Sequence, residues 1–314
     1  MWTGFIAGVV GLLVLDLGFF HRKAHKPSVR EALVWSAVWV GLAFVFNAGL
    51  YLWFGPQTAL EFLTGYLIEK ALSIDNLFVI LVIVTSLAVP PDLHHKILFW
   101  GILGALGMRG FFVFAGAALL RNFHWTIYLF GGLLLITGIR LFLQRESPVR
   151  PLGHPLVRLF SRAVPLVKEY RGAGFTVIEQ GRRYATPLLL SLVAVEASDL
   201  LFAVDSIPAI FAITPDPFIV FTSNICALLG LRSLYFVLAD VMGRFRYLKA
   251  GLALTLAFVG LKLMVSAVYV VPIAASLAGV ALLIGGSIVV SLLRMRPAIG
   301  QGGVASKSAR LIKT

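Results

Sequence analysis

The chain has 314 residues, of which 59% are hydrophobic and only 13% charged, and its mean hydropathy is +0.94. A soluble domain carries roughly a quarter charged residues on its surface, so a soluble enzyme is excluded. The net charge of +13 does not point to nucleic acid, because Lys and Arg are spread between apolar runs instead of forming one basic face.

A spanning helix needs about 20 mainly apolar residues. In chain order the apolar runs predict nine transmembrane helices, over 2–20, 33–54, 62–89, 97–119, 126–143, 187–213, 218–239, 250–270 and 273–293. The first run has its positive charges, Arg22 and Lys23, after it. A cleavable signal peptide has the opposite order, so residues 2–20 read as a retained helix with an exported N-terminus.

Residues 144–186 form the one sizeable extramembrane piece. Arg158, Arg162 and Lys168 alternate with Leu159, Phe160, Val164 and Leu166, which suits a helix lying on an anionic lipid surface and equally suits a basic solvated linker. Phe175–Glu179 and Arg182–Thr186, joined by Gln180-Gly181, predict a small hairpin. Residues 297–314, rich in Gly, Ser and Lys, are expected to be a disordered tail. That leaves residues 1–296 as a single transmembrane domain.

Lys and Arg in the loops set the orientation. If nine helices alternate, 21 basic loop residues fall on one side and only Arg121 on the other. The 144–186 loop and the C-terminus are therefore expected in the cytoplasm, and the N-terminus outside.

Two stretches of the chain repeat. Glu69-Lys-Ala-Leu-Ser73-Ile-Asp75-Asn76 resembles Asp199-Leu-Leu-Phe-Ala-Val-Asp205-Ser206, each with two acids six residues apart. Leu106-Gly107-Met108-Arg109 matches Leu229-Gly230-Leu231-Arg232, and Gly138-Ile139-Arg140-Leu141 matches Gly260-Leu261-Lys262-Leu263. Residues 62–143 and 187–270 thus read as two copies of a three-helix unit. Three is odd, so the second copy enters the membrane from the opposite side. Inverted repeats of this kind typify secondary transporters, with the site at the repeat interface. The expected fold class is an all-α polytopic membrane protein with two inverted three-helix repeats.

A carboxylate inside a bilayer is costly unless paired, hydrated or bound to an ion. Glu69, Asp75, Glu196, Asp199 and Asp205 all fall within predicted spans, and Asp16 sits near the end of the first. On an ideal helix Glu69, Ser73 and Asn76 share a face, as do Asp199 and Ser206. Asp75 and Asp205 lie off those faces and would join a common site most easily if their helices unwind, and Pro208 favours a break in the sixth helix. Taking the motif centres at one depth, Glu69 should level with Asp205 and Asp75 with Asp199. Arg109 and Arg232 would balance excess negative charge, or stand in for a cation when the site is empty.

Carboxylate, amide and hydroxyl oxygens suit hard divalent cations such as Mn²⁺, Mg²⁺ or Ca²⁺. The candidate metal ligands are Glu69, Asp75, Asn76, Glu196, Asp199 and Asp205, with Asp16, Ser73, Arg109, Ser206, Arg232 and Lys262 in support. Under a structural alternative the acids only pair with Lys70, Arg109, Arg232 and Lys262, Glu196 caps a local network, and Asp16 pairs near the cytoplasmic face. Asn47 is expected to make an interhelical hydrogen bond. The lone Cys226 and the loop-bound histidines give no thiolate or imidazole centre. No phosphate-binding Gly-rich loop is present, so ATP is not expected to drive the protein.

Long stretches of the chain resemble the TerC family, which includes the Alx-type manganese exporters. The likeness is carried by Leu15-Asp16-Leu17, His21-Arg-Lys-Ala-His25, Phe62-Leu-Thr-Gly-Tyr-Leu-Ile-Glu69-Lys, Ser73-Ile-Asp75-Asn76-Leu-Phe78, Phe99-Trp-Gly-Ile-Leu-Gly104, Phe202-Ala-Val-Asp205-Ser-Ile-Pro-Ala-Ile-Phe-Ala-Ile213, Phe218-Ile-Val-Phe-Thr-Ser-Asn224 and Arg244-Phe-Arg-Tyr-Leu-Lys249. The resemblance implies a bacterial inner-membrane protein linked to manganese efflux and, in some contexts, to tellurium resistance. It also implies functional acids around Glu69, Asp75, Glu196, Asp199 and Asp205. Plastid members are associated with membrane-protein insertion, which keeps membrane-protein partners in view. The expected activity is export of a divalent cation in exchange for protons, with Mn²⁺ as cargo, no tightly bound cofactor and no enzymatic reaction.

Overall fold

A computed structural model describes residues 1–20, 28–123, 125–143, 155–167, 169–170, 172–179, 181–241, 247–266, 269 and 271–293, except for the side chains of 15–20, 75, 239–241, 248 and 292. The chain is mostly helical. The helices are α1 (Trp2–Phe20), α2 (Val29–Phe54), α3 (Pro56–Ser86), α4 (His94–Asn122), α5 (Thr126–Leu143), α6 (Pro155–Ala163), α7 (Pro187–Phe211), α8 (Pro217–Leu228), α9 (Leu231–Val241), α10 (Leu248–Val265) and α11 (Ile273–Leu293). Helix covers most of the described residues in each predicted run, with the 218–239 run divided between α8 and α9. Among the described residues five helices are long and apolar enough to cross a membrane, or six if the bent pair α8–α9 is one span. The charges of Glu61, Glu69, Lys70 and Asp75 leave α3 the most heavily charged of the long helices.

Local chemistry explains the helix starts. Ser28 accepts from the Glu31 amide at 3.2 Å, and Asp216 accepts from the Phe218 amide at 2.8 Å, so each satisfies a donor that the first turn leaves free. Pro56, Pro187 and Pro217 stand in the first turns of α3, α7 and α8, where the missing N–H costs nothing. Large apolar side chains face outward, among them Leu52 at 78% exposure, Phe111 at 70% and Leu282 at 74%. On a soluble protein such a belt would drive aggregation; in a bilayer it faces lipid.

The centre of the bundle is made by α3, α4, α7 and α8, with α3 and α4 each packed on both α7 and α8. Beside it α5 and α10 approach backbone to backbone. A Cβ on Gly138 would stand 2.7 Å from the Ala253 carbonyl oxygen, and one on Gly260 would stand 2.7 Å from the Leu135 amide. Small residues let membrane helices come this close, and these two glycines are the ones the repeat alignment pairs.

The expected hairpin forms, with β1 (Thr176–Glu179) antiparallel to β2 (Arg182–Ala185) and Gly181 at φ +76° in the turn. Helix α6 packs on α7 through Val157, which is buried, and leaves Arg158, Leu159 and Arg162 exposed. The Tyr170 hydroxyl donates to the Leu87 carbonyl at 2.8 Å, and Lys96 donates to the Ala173 carbonyl. These contacts put the 87–96 turn at the same end of the bundle as the 170–175 segment. At the other end Trp2 packs against Phe114, Phe218 and Phe221 in tilted and edge-on contacts.

The expected helix break is corrected. Helix α7 runs unbroken past Asp199 and Asp205, with Pro208 inside it. Pro208 lies in the last turn, where little helix remains to disrupt. The break falls instead between α8 and α9, which meet at 43°. Gly230 there has φ +83°, a conformation open to glycine at no steric cost, and Trp39 fills the space its side chain would need.

Candidate ion-handling site

Arg109, near the middle of α4, is 1% exposed and sits among groups from three other helices. Its Nη1 donates to Glu69 of α3 and, at 3.0 Å, to Asn224 Oδ1 of α8. Its Nε and Nη2 donate to the two oxygens of Asp199 on α7, at 3.2 and 2.8 Å. Asn224 Nδ2 returns a bond to Glu69 Oε2 at 3.1 Å, Ser73 Oγ donates to Glu69 Oε1 at 3.2 Å, and Asn76 Nδ2 donates to Asp199 Oδ1 at 2.7 Å. All four carboxylate oxygens are thereby satisfied. Glu69, Ser73 and Asn76 do share one face of α3, as steps of four and three require.

The structure therefore gathers Glu69, Ser73, Asn76, Arg109 and Asp199 into one buried cluster. Glu69 and Asp199 meet at one guanidinium, so the expected levelling of Glu69 with Asp205 is wrong. Both residues lie near the midpoints of their helices, whereas that expectation set the centres of the two motifs at equal depth. Asp205 turns to α5, where Thr137 Oγ1 donates to it at 3.0 Å. Ser206 is buried and its hydroxyl has no partner among the described residues.

Glu196, one helical turn before Asp199, is half-buried and lays its carboxyl over Gly104 of α4, where a Cβ would overlap it. Among the described residues Lys70 forms no ion pair with an acid. It donates to the Ala227 carbonyl at 3.1 Å, beside the C-terminal end of the broken α8, where a positive charge opposes the helix dipole. Arg232 lines a crevice at the α8–α9 break with Leu13, Trp39 and Phe99. Half-buried Lys262 on α10 lies within reach of the Glu61 charge on α3. Asn47 Oδ1 is buried with no partner among the described residues, contrary to the expected interhelical bond.

The Asp16 and Asp75 side chains lie outside the described residues. Among the described residues no three His, Cys, Asp or Glu side chains converge. Sequence reasoning left Asn224 out of the site, although it closes the motif Phe218–Asn224. An amide inside an apolar span was the available signal.

The TerC integral membrane protein family matches residues 54–298, a stretch that holds the whole cluster. The chain belongs to the TerC family. Among TerC relatives, an uncharacterized membrane protein of Myxococcus xanthus is 54% identical over 298 residues, covering 95% of this chain and 93% of its own. The Alx protein of Escherichia coli K12, described as a candidate membrane-bound redox modulator, is 45% identical over 287 residues, covering 88% and 89%. An uncharacterized membrane protein of Rickettsia felis is 38% identical over 293 residues, covering 93% and 97%. No solved structure matches this chain significantly.

Proposed function

We propose that this TerC protein is a secondary transporter that exports a divalent metal cation, Mn²⁺ above all, in exchange for protons. The observation that carries the reading is a charge imbalance. Glu69 and Asp199 bring two negative charges into the buried cluster and Arg109 brings one positive charge. A surplus charge in a low-dielectric interior calls for a proton or a cation. The nearby donors are oxygens of carboxylates, amides and a hydroxyl, which favour hard divalent ions over soft ones. Glu196 and Asp205, half-buried on α7 to either side of Asp199, would extend the site toward both membrane faces, and Asp75 would complete it.

Moving two positive charges outward against ~100 mV costs about 4.6 kcal/mol, which proton antiport can supply. The third helices of 62–143 and 187–270, α5 and α10, pack closely on each other, and α3 and α4 of the first unit both pack on α7 and α8 of the second. That pairing supports two inverted repeats within a nine-span bundle. Loop charges favour an inner-membrane orientation with the N-terminus outside and the C-terminus in the cytoplasm. A single cysteine forms no intramolecular disulfide.

One observation favours a different reading. The hydrogen bonds around Arg109 are closed, as in a structural lock, which would suit a membrane-protein assembly factor or a tellurium-resistance protein without transport. Mn²⁺ efflux from loaded proteoliposomes decides between them. Export predicts efflux faster than from protein-free vesicles, accelerated when the outside is acidic. Equal rates with and without protein reject it.

A further inference from the structure

We propose that Arg109 is a built-in competitor of the cargo: its guanidinium occupies the cation position between Glu69 and Asp199, and loading requires it to leave. The inference rests on the export reading and adds how the site is held when empty.

The geometry carries it. A cation that bridges helices α3 and α7 must draw on carboxylate oxygens of Glu69 and Asp199, and Arg109 bonds both carboxylates now. Arginine keeps its charge at every physiological pH, so it cannot vacate the site by losing a proton. With Arg109 in place the two acids retain one unmatched negative charge; with a divalent ion in its place they are neutral. Arg109 bonds three of the four carboxylate oxygens of the pair, so an ion that draws on those oxygens takes the guanidinium's place.

A second observation points to a ligand. Asn76 is 2% exposed, and while its Nδ2 bonds Asp199, its Oδ1 has no partner among the described residues. An orphaned buried amide oxygen is costly in a protein-only network, whereas it is a natural third oxygen for a hard cation. Asn224 is placed for the same exchange: its Oδ1 accepts from Arg109 now and is freed when the guanidinium leaves. The device keeps the acids paired across the membrane's interior on an empty return, and makes binding weak enough for release.

The test uses the full-length protein in lipid nanodiscs with Mn²⁺ alone as the probe, following the free-ion EPR signal. Arg109→Gln removes the competitor, so Mn²⁺ should bind at least tenfold more tightly and raise thermal stability more than in wild type. Efflux by the same variant should slow, because the tight ion is no longer displaced. Arg109→Lys keeps a cation in the cluster but loses the planar fork that bonds both carboxylates, so it should bind Mn²⁺ several-fold more tightly than wild type. If wild type binds Mn²⁺ and either folded variant binds no more tightly, the competitor role is overturned and export stands. If neither wild type nor variant binds, both readings fall.

Discussion

Neutralising one acid of the cluster should be far gentler on the fold than neutralising its arginine. In Asp199→Asn the shape is kept, the amide oxygen can stay toward Asn76 and Nη2 of Arg109, and the bond from Arg109 Nε becomes a donor facing a donor. Hydrogen bonds to charged groups contribute about 1.5–3 kcal/mol each. Against that loss, the surplus negative charge disappears and Arg109 remains paired with Glu69, so the net cost should be about 1 kcal/mol. Arg109→Gln instead strands two carboxylates at the centre of the bundle. Removing one partner of a buried pair costs about 3–5 kcal/mol, which puts the two variants at least about 2 kcal/mol apart. Unfolding in metal-free nanodiscs, followed by tryptophan fluorescence, gives the ranking, and proteoliposomes report Mn²⁺ efflux, which Asp199→Asn should abolish. Equal destabilisation by the two substitutions would refute the charge-surplus argument, whatever happens to transport.

The remaining predictions are more local. Cysteines introduced by Thr58→Cys and Asp216→Cys should be labelled from outside the cell and one introduced by Arg158→Cys should not; the reverse pattern inverts the proposed orientation. Asp75→Asn and Asp205→Asn should each stop Mn²⁺ efflux without reducing the amount of protein in the membrane, and normal efflux from a well-folded double variant would remove both from the site. Gly104→Ala pushes the flexible Glu196 carboxyl aside, so stability should change by no more than about 0.5 kcal/mol while Mn²⁺ affinity falls; unchanged affinity would take Glu196 out of the pathway. Gly260→Leu drives a side chain into the α5 backbone, and overpacking of this kind costs about 1–3 kcal/mol, read as a lowered melting temperature; an unshifted midpoint would mean that α5 and α10 do not pack as described.

Periodicity and turn chemistry alone determined much of this molecule. Apolar runs of spanning length located the helices, because a bilayer obliges every buried backbone group to bond within its own segment. The glycine at 181 and the alternation around it located the hairpin, and spacings of four and three put Glu69, Ser73 and Asn76 on one face. These are local properties, written within a few turns of chain. The partners across helices were not local, and the sequence could not rank them. Four intramembrane cations were candidates for the acids, and only packing shows that Arg109 reaches Glu69 and Asp199 while Lys70 turns to a broken helix end. Pro208 looked like the breaker, yet at the end of α7 it disturbs almost nothing, while the break falls at Gly230, whose φ of +83° leaves the helix and whose missing side chain leaves room for Trp39. Depth failed for the same reason. Residue counts fix a position along one helix axis, but how far one helix slides past another is set by the side chains between them, and here the guanidinium between Glu69 and Asp199 set it.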